Sequence, residues 1–144
     1  MVNSSTTFPA VEKEDDNDIV AEIIPEVEED DRVLVWSDEF DGTTLDLNNW
    51  SFELGDGCPN LCGWGNNELQ SYTDSNHRLE DGMLIISAKN ENEYTSTRIL
   101  TKGKQEFTYG KIETRVKVPS GAGLWPAFWA LGGDIDTNSW PDCG

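Results

Sequence analysis

The sequence is poor in histidine, cysteine and basic residues: one histidine, three cysteines, and ten lysines and arginines against 28 aspartates and glutamates. With His77 alone, a multi-histidine metal site is excluded, and no serine or cysteine near it in sequence points to a nucleophile pair. The net charge of −18 and pI of about 4.1 exclude nucleic acid as a natural partner, and an anionic membrane surface for the same reason. No run of about 18 apolar residues exists, so no helix of this sequence spans a bilayer. The opening "MVNSSTTFPAVEKEDDND" has neither a basic start nor an apolar stretch, so no signal peptide is visible. Cys58 and Cys62 are too widely spaced for a CxxC motif and lack partner ligands for zinc. A local disulfide in an exported protein and a pair of free thiols both remain open; Cys143 is odd either way.

The charge is unevenly placed. Eleven of the acidic residues lie between Glu12 and Asp31, leaving −9 for the 112 residues from Val33 on. Residues 1–32 therefore read as an acidic, disordered linker in which like charges repel and Pro25 interrupts the few apolar residues. From Val33 the texture becomes strands and turns. "VLVW" is a short apolar run, "WSFEL" alternates, "MLIISAK" is a continuous apolar strand of the buried type, and "YTSTRILT" is β-branched and alternating. In "YGKIETRVKVP", Ile112, Thr114, Val116 and Val118 share one face and Lys111, Glu113, Arg115 and Lys117 the other, which predicts an antiparallel strand with one solvated face. No segment keeps helical periodicity for three turns. The reading is all-β, a sandwich or jelly roll.

Six tryptophans stand out. Trp36 and Trp50, each embedded in an apolar strand, read as core. Trp125 and Trp129, four apart in an extended segment, point to one face, and at least one is expected to line a cleft. Indole faces in a β-sheet cleft stack on the apolar faces of sugar rings, so they point to carbohydrate. In "GWGNNELQSYT", Asn66, Asn67, Glu68 and Gln70 offer the mixed donors and acceptors that sugar hydroxyls need, or else form a turn with asparagine at left-handed positions. Arg98 is either a solvated strand residue or the charge partner of a buried carboxylate such as Glu68. "DIDTN" spaces Asp134, Asp136 and Asn138 like the start of a calcium loop, but Ser139 stands where that loop needs glycine.

Taken in order, "WSDEFDGTTLDLNNW", "GWGNNELQSYT", "YTSTRI", "FTYGKIETRVKVPSGAGLWPAFWALG" and "SWPDCG" closely resemble the laminarinase branch of glycoside hydrolase family 16, the endo-1,3-β-glucanases. The resemblance covers residues 33–144. It implies a concanavalin-like β-jelly roll, incomplete in this chain, of two curved antiparallel sheets with glucan along the concave face. It also implies a retaining mechanism, in which one carboxylate forms a glycosyl-enzyme and a second serves as acid and base. In the family those carboxylates sit on a strand of the form E-I-D-I-M-E that follows "WPDCG". The expectation is therefore a chain that carries the glucan-binding part and no catalytic residue of its own, Glu39, Glu68 and Glu113 included.

By the same resemblance Trp125 and Trp129 stack on glucose, Trp140 floors the cleft, and Asn67 and Arg98 bond sugar hydroxyls, with Glu68 as a further cleft residue. No cofactor is required. A structural calcium is implied on the convex face, held by backbone oxygens at Glu39 and Gly82. The expected partner is a β-glucan polysaccharide, β-1,3-linked or of mixed linkage, and the complete protein a monomer; a polymeric substrate implies an extracellular or cell-surface location. Ser71, where an aromatic residue is common, and the acidic linker depart from the family pattern. A noncatalytic β-glucan-binding lectin on the same fold is the alternative.

Overall fold

The computed structural model describes residues 31–143, so most of the acidic segment 1–32 lies outside the described residues. Contacts divide the chain into two units, Met1–Val35 and Trp36–Gly144. Of the first unit only residues 31–35 are described, and they form no strand. The second unit is all-β among the described residues. Its strands are β1 (Ser51–Glu53), β2 (Ser71–Tyr72), β3 (His77–Leu79), β4 (Leu84–Ile86), β5 (Lys89–Asn90), β6 (Tyr94–Ser96) and β7 (Arg98–Leu100), with one tight turn of helical type at Cys62–Gly65. No helix of the described residues is long and apolar enough to cross a membrane.

The pairing is mostly antiparallel. β1 lies against β7, with Ser51, Phe52 and Glu53 opposite Leu100, Ile99 and Arg98. β6 lies between β2, which it pairs in parallel, and β5, which it pairs antiparallel. β3 and β4 form a hairpin whose turn the sequence dictates. Asp81 (φ 52°) and Gly82 (φ 66°) both take left-handed backbone, and Glu80 and Met83 exchange both amide hydrogen bonds at 3.0 Å. Asp-Gly is the favoured pair for such a turn, because its twist matches that of the flanking strands.

Polar side chains tie these pieces together. Asn76 is only 5 % exposed. Its amide donates to the Ser87 carbonyl (3.1 Å) and Thr95 Oγ1 (3.0 Å), while its Oδ1 accepts from Thr73 Oγ1 at 2.6 Å. The equally buried Thr97 donates to the Thr73 carbonyl at 2.8 Å. Every one of these groups has a partner, as buried polar groups must.

The apolar core is small by comparison. Leu45 is the one buried hydrophobic residue among those described. Trp36 and Trp50 are half-buried and outside the strands. Their rings meet edge-on at 5.9 Å, with Phe40 5.9 Å from Trp50 and Phe107 6.1 Å from Trp36. Trp50 Nε1 donates to Asp38 Oδ2 at 2.7 Å, anchoring the polar end of the indole.

Three expectations differ from the structure. "KIETRVKV" makes no ladder with any described residue, and Ile112, Val116 and Val118 are 57–63 % exposed. Alternation prepares a segment for a sheet, but a strand also needs a neighbour for its backbone groups and a layer over its apolar face. "MLIISAK" is half-buried and not fully buried, with Met83 and Ile86 exposed at its two ends. Trp36 and Trp50 pack on one another outside any strand, since ring contacts hold them without a ladder.

With so little buried apolar surface, residues 1–144 expressed alone are expected to bind a hydrophobic dye and to unfold over a broad temperature range. Tryptophan fluorescence on heating, with size-exclusion chromatography, checks this. A sharp transition from a clean monomer would contradict it.

Candidate glucan-binding site

β1 and β7 place Glu53 directly opposite Arg98, and the rest of the site is built on that pair. Glu53 Oε2 lies 2.5 Å from Arg98 Nε, with both side chains largely withdrawn from solvent (27 % and 20 % exposed). On its other side Arg98 Nη1 is 4.0 Å from Glu68 Oε1. The guanidinium carbon is 4.7 Å from the centre of the Trp64 ring, 5.8 Å from Tyr72 and 5.1 Å from Trp129. One cation thus meets two carboxylates and three π faces, the surroundings that suit a planar, weakly hydrated guanidinium.

Trp64 reaches this position through an unusual loop. Gly63 (φ 60°) and Trp64 (φ 51°) are both left-handed, and the indole N–H donates to the Gly55 carbonyl at 3.2 Å. A Cβ on Gly57 would lie 2.2 Å from the Leu61 carbonyl oxygen and 3.2 Å from the Trp64 ring, so only glycine fits there. A disulfide joins Cys58 to Cys62 across the same loop, which settles the alternative between thiols and a bridge; Cys143 takes no part in it. Gly55 then exchanges both backbone hydrogen bonds with Tyr72 at 2.9 Å, bringing loop and β2 together.

Glu68 is the acceptor hub. Its Oε2 accepts from Tyr72 Oη at 2.6 Å and from Gln70 Nε2 at 3.0 Å, and its Oε1 accepts from Asn66 Nδ2 at 3.1 Å. Gln70 Nε2 also donates to Tyr72 Oη at 2.8 Å. Glu68, Gln70 and Tyr72 face one another because they alternate along the chain into β2. Burial, reinforced by the hydrogen bond to Glu68, pushes the Tyr72 phenol above its ordinary range.

Of the residues singled out in the sequence, the structure brings Glu68, Arg98 and Trp129 together. Asn67 adjoins them in sequence but is exposed and left-handed (φ 58°), as expected of asparagine in a turn. Trp125 and Trp140, 79 % and 69 % exposed, stand outside this set of contacts. Glu53, Trp64 and Tyr72 were missed. Trp64 and Tyr72 flank "NNELQS" and so carried a local signal; Glu53 carried none, because its partner is 45 positions away and only strand register joins them.

At the Glu80–Met83 turn, a Cβ on Gly82 would sit 3.2 Å from Asp41 Oδ1 and 3.7 Å from the Glu39 carbonyl oxygen. A carboxylate and a carbonyl converge there, the hard oxygen donors that calcium takes. Among the described residues no group of three or more His, Cys, Asp or Glu is placed to hold a metal. Elsewhere Leu45, Phe52, His77 and Leu79 line part of a cavity of about 350 Å³, where His77 Nδ1 is buried without a hydrogen-bond partner.

The raised phenol fixes a sign. A group held neutral by the fold stabilises it below the unfolded pKa of about 10 and loses that contribution as pH rises through the folded value. In the whole protein, Tyr72 is expected to ionise above the ordinary tyrosine range in an ultraviolet titration, and Glu68→Gln to bring it down. An unchanged titration in that variant would show that burial alone holds the phenol.

The chain matches the family of glycosyl hydrolases family 16 over residues 64–141. It is similar to the β-glucanase of Rhodothermus marinus, 46 % identical over 121 residues, which cover 77 % of this chain and 41 % of that protein. It is likewise similar to glucan endo-1,3-beta-glucosidase A1 of Niallia circulans, 41 % identical over 127 residues, covering 77 % of this chain and 19 % of the relative. The crystal structure of a laminarinase from Flavobacterium sp. UMI-01 superposes with a TM-score of 0.74 at 61 % identity, over 77 % of this chain and 48 % of that one. The chain therefore spans less than half the length of these relatives, and its all-β architecture is that of the jelly roll. The chain belongs to glycoside hydrolase family 16.

Proposed function

We propose that the whole protein cleaves β-1,3-glucan internally, with retention, and that this chain supplies subsites that hold the sugar. The observation that carries this reading is the half-buried Arg98, paired with Glu53 and set against Trp64, Tyr72 and Trp129 in a family of glycoside hydrolases. Sugars are bound by flat apolar faces joined to directional donors, and this cluster combines both.

In this reading Trp125 and Trp129 offer stacking faces, Trp140 floors the cleft, and Arg98 and Asn67 direct N–H groups at hydroxyls. Glu68 orients the cluster through the three side chains that donate to it. None of the described carboxylates takes a catalytic role. Both oxygens of Glu68 accept hydrogen bonds, the Glu113 side chain is 72 % exposed beside Lys111, and Glu39 is exposed outside any strand. The reaction needs a nucleophile that forms the glycosyl-enzyme and an acid that protonates the leaving oxygen and then activates water. By the family resemblance, those two groups are assigned to a strand of the form E-I-D-I-M-E.

The Glu39 carbonyl, the Gly82 turn and the Asp41 carboxylate are proposed to hold a structural calcium. No cofactor is needed for the chemistry. A soluble glucan polymer is met outside the cell or at its surface, and the whole protein is proposed to act there as a monomer.

Reducing-sugar release from laminarin is expected from the whole protein and not from residues 1–144 alone. Laminarin binding by the whole protein without any release would favour the noncatalytic lectin instead. Replacing Trp125 or Trp129 with alanine should weaken laminarin binding by about 1 kcal/mol, roughly fivefold, without lowering the melting temperature. A variant that melts far lower yet binds normally would place that tryptophan in the core. Chelation of calcium is expected to lower the melting temperature of the whole protein, and an unchanged melt would remove the ion from Glu39 and Gly82.

A further inference from the structure

We infer that Glu53 is a positioning residue for glucan recognition: it holds the guanidinium of Arg98 off Glu68 and so keeps its outer N–H groups available to sugar hydroxyls. The inference rests on the reading that Arg98 contacts glucan. An arginine carries about 2 kcal/mol of rotamer entropy, so an unrestrained guanidinium would sample many positions. Here it has two carboxylates within reach and they make opposite demands. Glu53, directly across the β1–β7 ladder, takes the Nε edge at 2.5 Å. Glu68, 4.0 Å from Nη1, already accepts from Tyr72, Gln70 and Asn66.

The two are not equivalent. Glu53 engages the Nε edge, while the guanidinium carbon lies 4.7 Å from the centre of the Trp64 ring and 5.1 Å from that of Trp129. Five N–H groups radiate from a guanidinium in one plane, so fixing one edge aims the others. If Glu53 lost its charge, Glu68 would be the remaining carboxylate within reach, and the terminal nitrogens would close on it. Arg98 would then satisfy a carboxylate with the groups that hydroxyls require. The rings would still confine the plane, so the fold would tolerate the change while recognition would not.

Mobility of the whole protein in native gels containing increasing laminarin gives a dissociation constant whether or not the glucan is cleaved. Glu53→Gln, isosteric but uncharged, is expected to weaken binding about tenfold with little change in melting temperature. Glu53→Asp keeps the charge but withdraws it by one methylene, and an intermediate loss is expected. Arg98→Ala is expected to weaken binding at least as much as Glu53→Gln. Adding Glu53→Gln to Arg98→Ala is expected to cost nothing further, because a residue acting only through Arg98 has no effect once Arg98 is gone. Additive losses in the double variant, or wild-type binding by Glu53→Gln, would overturn the positioning role. Wild-type binding by Arg98→Ala would instead overturn the reading that Arg98 contacts glucan, and an unretarded wild-type protein would overturn glucan binding altogether.

Discussion

Glu53 and Arg98 face each other because β1 and β7 pair in one register, and that register decides what else can gather there. A slip of one residue would set Arg98 opposite Phe52 or Leu54 in place of Glu53. The aromatic rings would then lose the cation they surround, and Glu68 the cation nearest it. The charge pair itself adds little net stability, since withdrawing two ions from water costs about as much as their attraction returns. Its value lies in geometry: two oppositely charged groups, both largely withdrawn from solvent, tolerate few arrangements.

The same logic governs the scaffold around it. Only Leu45 is buried as a hydrophobic residue among those described, so apolar packing alone does not define how β2, β3, β4 and β6 sit together. Directional bonds do. Asn76 ties the start of β3 to the residues after β4 and to β6, and Thr97 ties the β6–β7 junction to Thr73. A misplaced partner would leave a buried amide or hydroxyl unsatisfied, at a cost of about 1–3 kcal/mol each. Polar specificity therefore stands in where the hydrophobic core is thin.

What the sequence made legible follows from how local each signal is. Asp81-Gly82 carries its turn signal in the two residues themselves, although that turn was not singled out in the sequence. The alternation of "WSFEL" and "YTSTRILT" located β1, β6 and β7 for the same reason. Arg98 was read as open between solvent and Glu68, and the structure gives it Glu68 at a distance and Glu53 at contact. No periodicity reports that partner, because antiparallel pairing is a relation between segments. "KIETRVKV" shows the converse: its pattern specifies two faces, yet ladder bonds must come from another strand. Trp36 and Trp50 were recognised as packing residues but assigned to strands, since apolar runs look alike whether rings or ladders hold them.

Glu68 illustrates why polar residues in such a site are poor evidence for catalysis by themselves. It is half-buried, acidic and close to an arginine, a description that would fit an acid or a nucleophile. Its hydrogen bonds argue otherwise. Tyr72, Gln70 and Asn66 all donate to it, and burial, reinforced by the 2.6 Å bond from the phenol, raises Tyr72 above its ordinary range. Three donors take three of the roughly four acceptor positions of this carboxylate and hold it in one orientation. The chemistry its surroundings do support is orientation: Glu68 fixes Tyr72, Tyr72 and Trp64 confine Arg98, and Glu53 aims it. Recognition of a neutral, hydroxyl-rich polymer needs that kind of order more than it needs charge, because each hydroxyl donates and accepts along fixed directions.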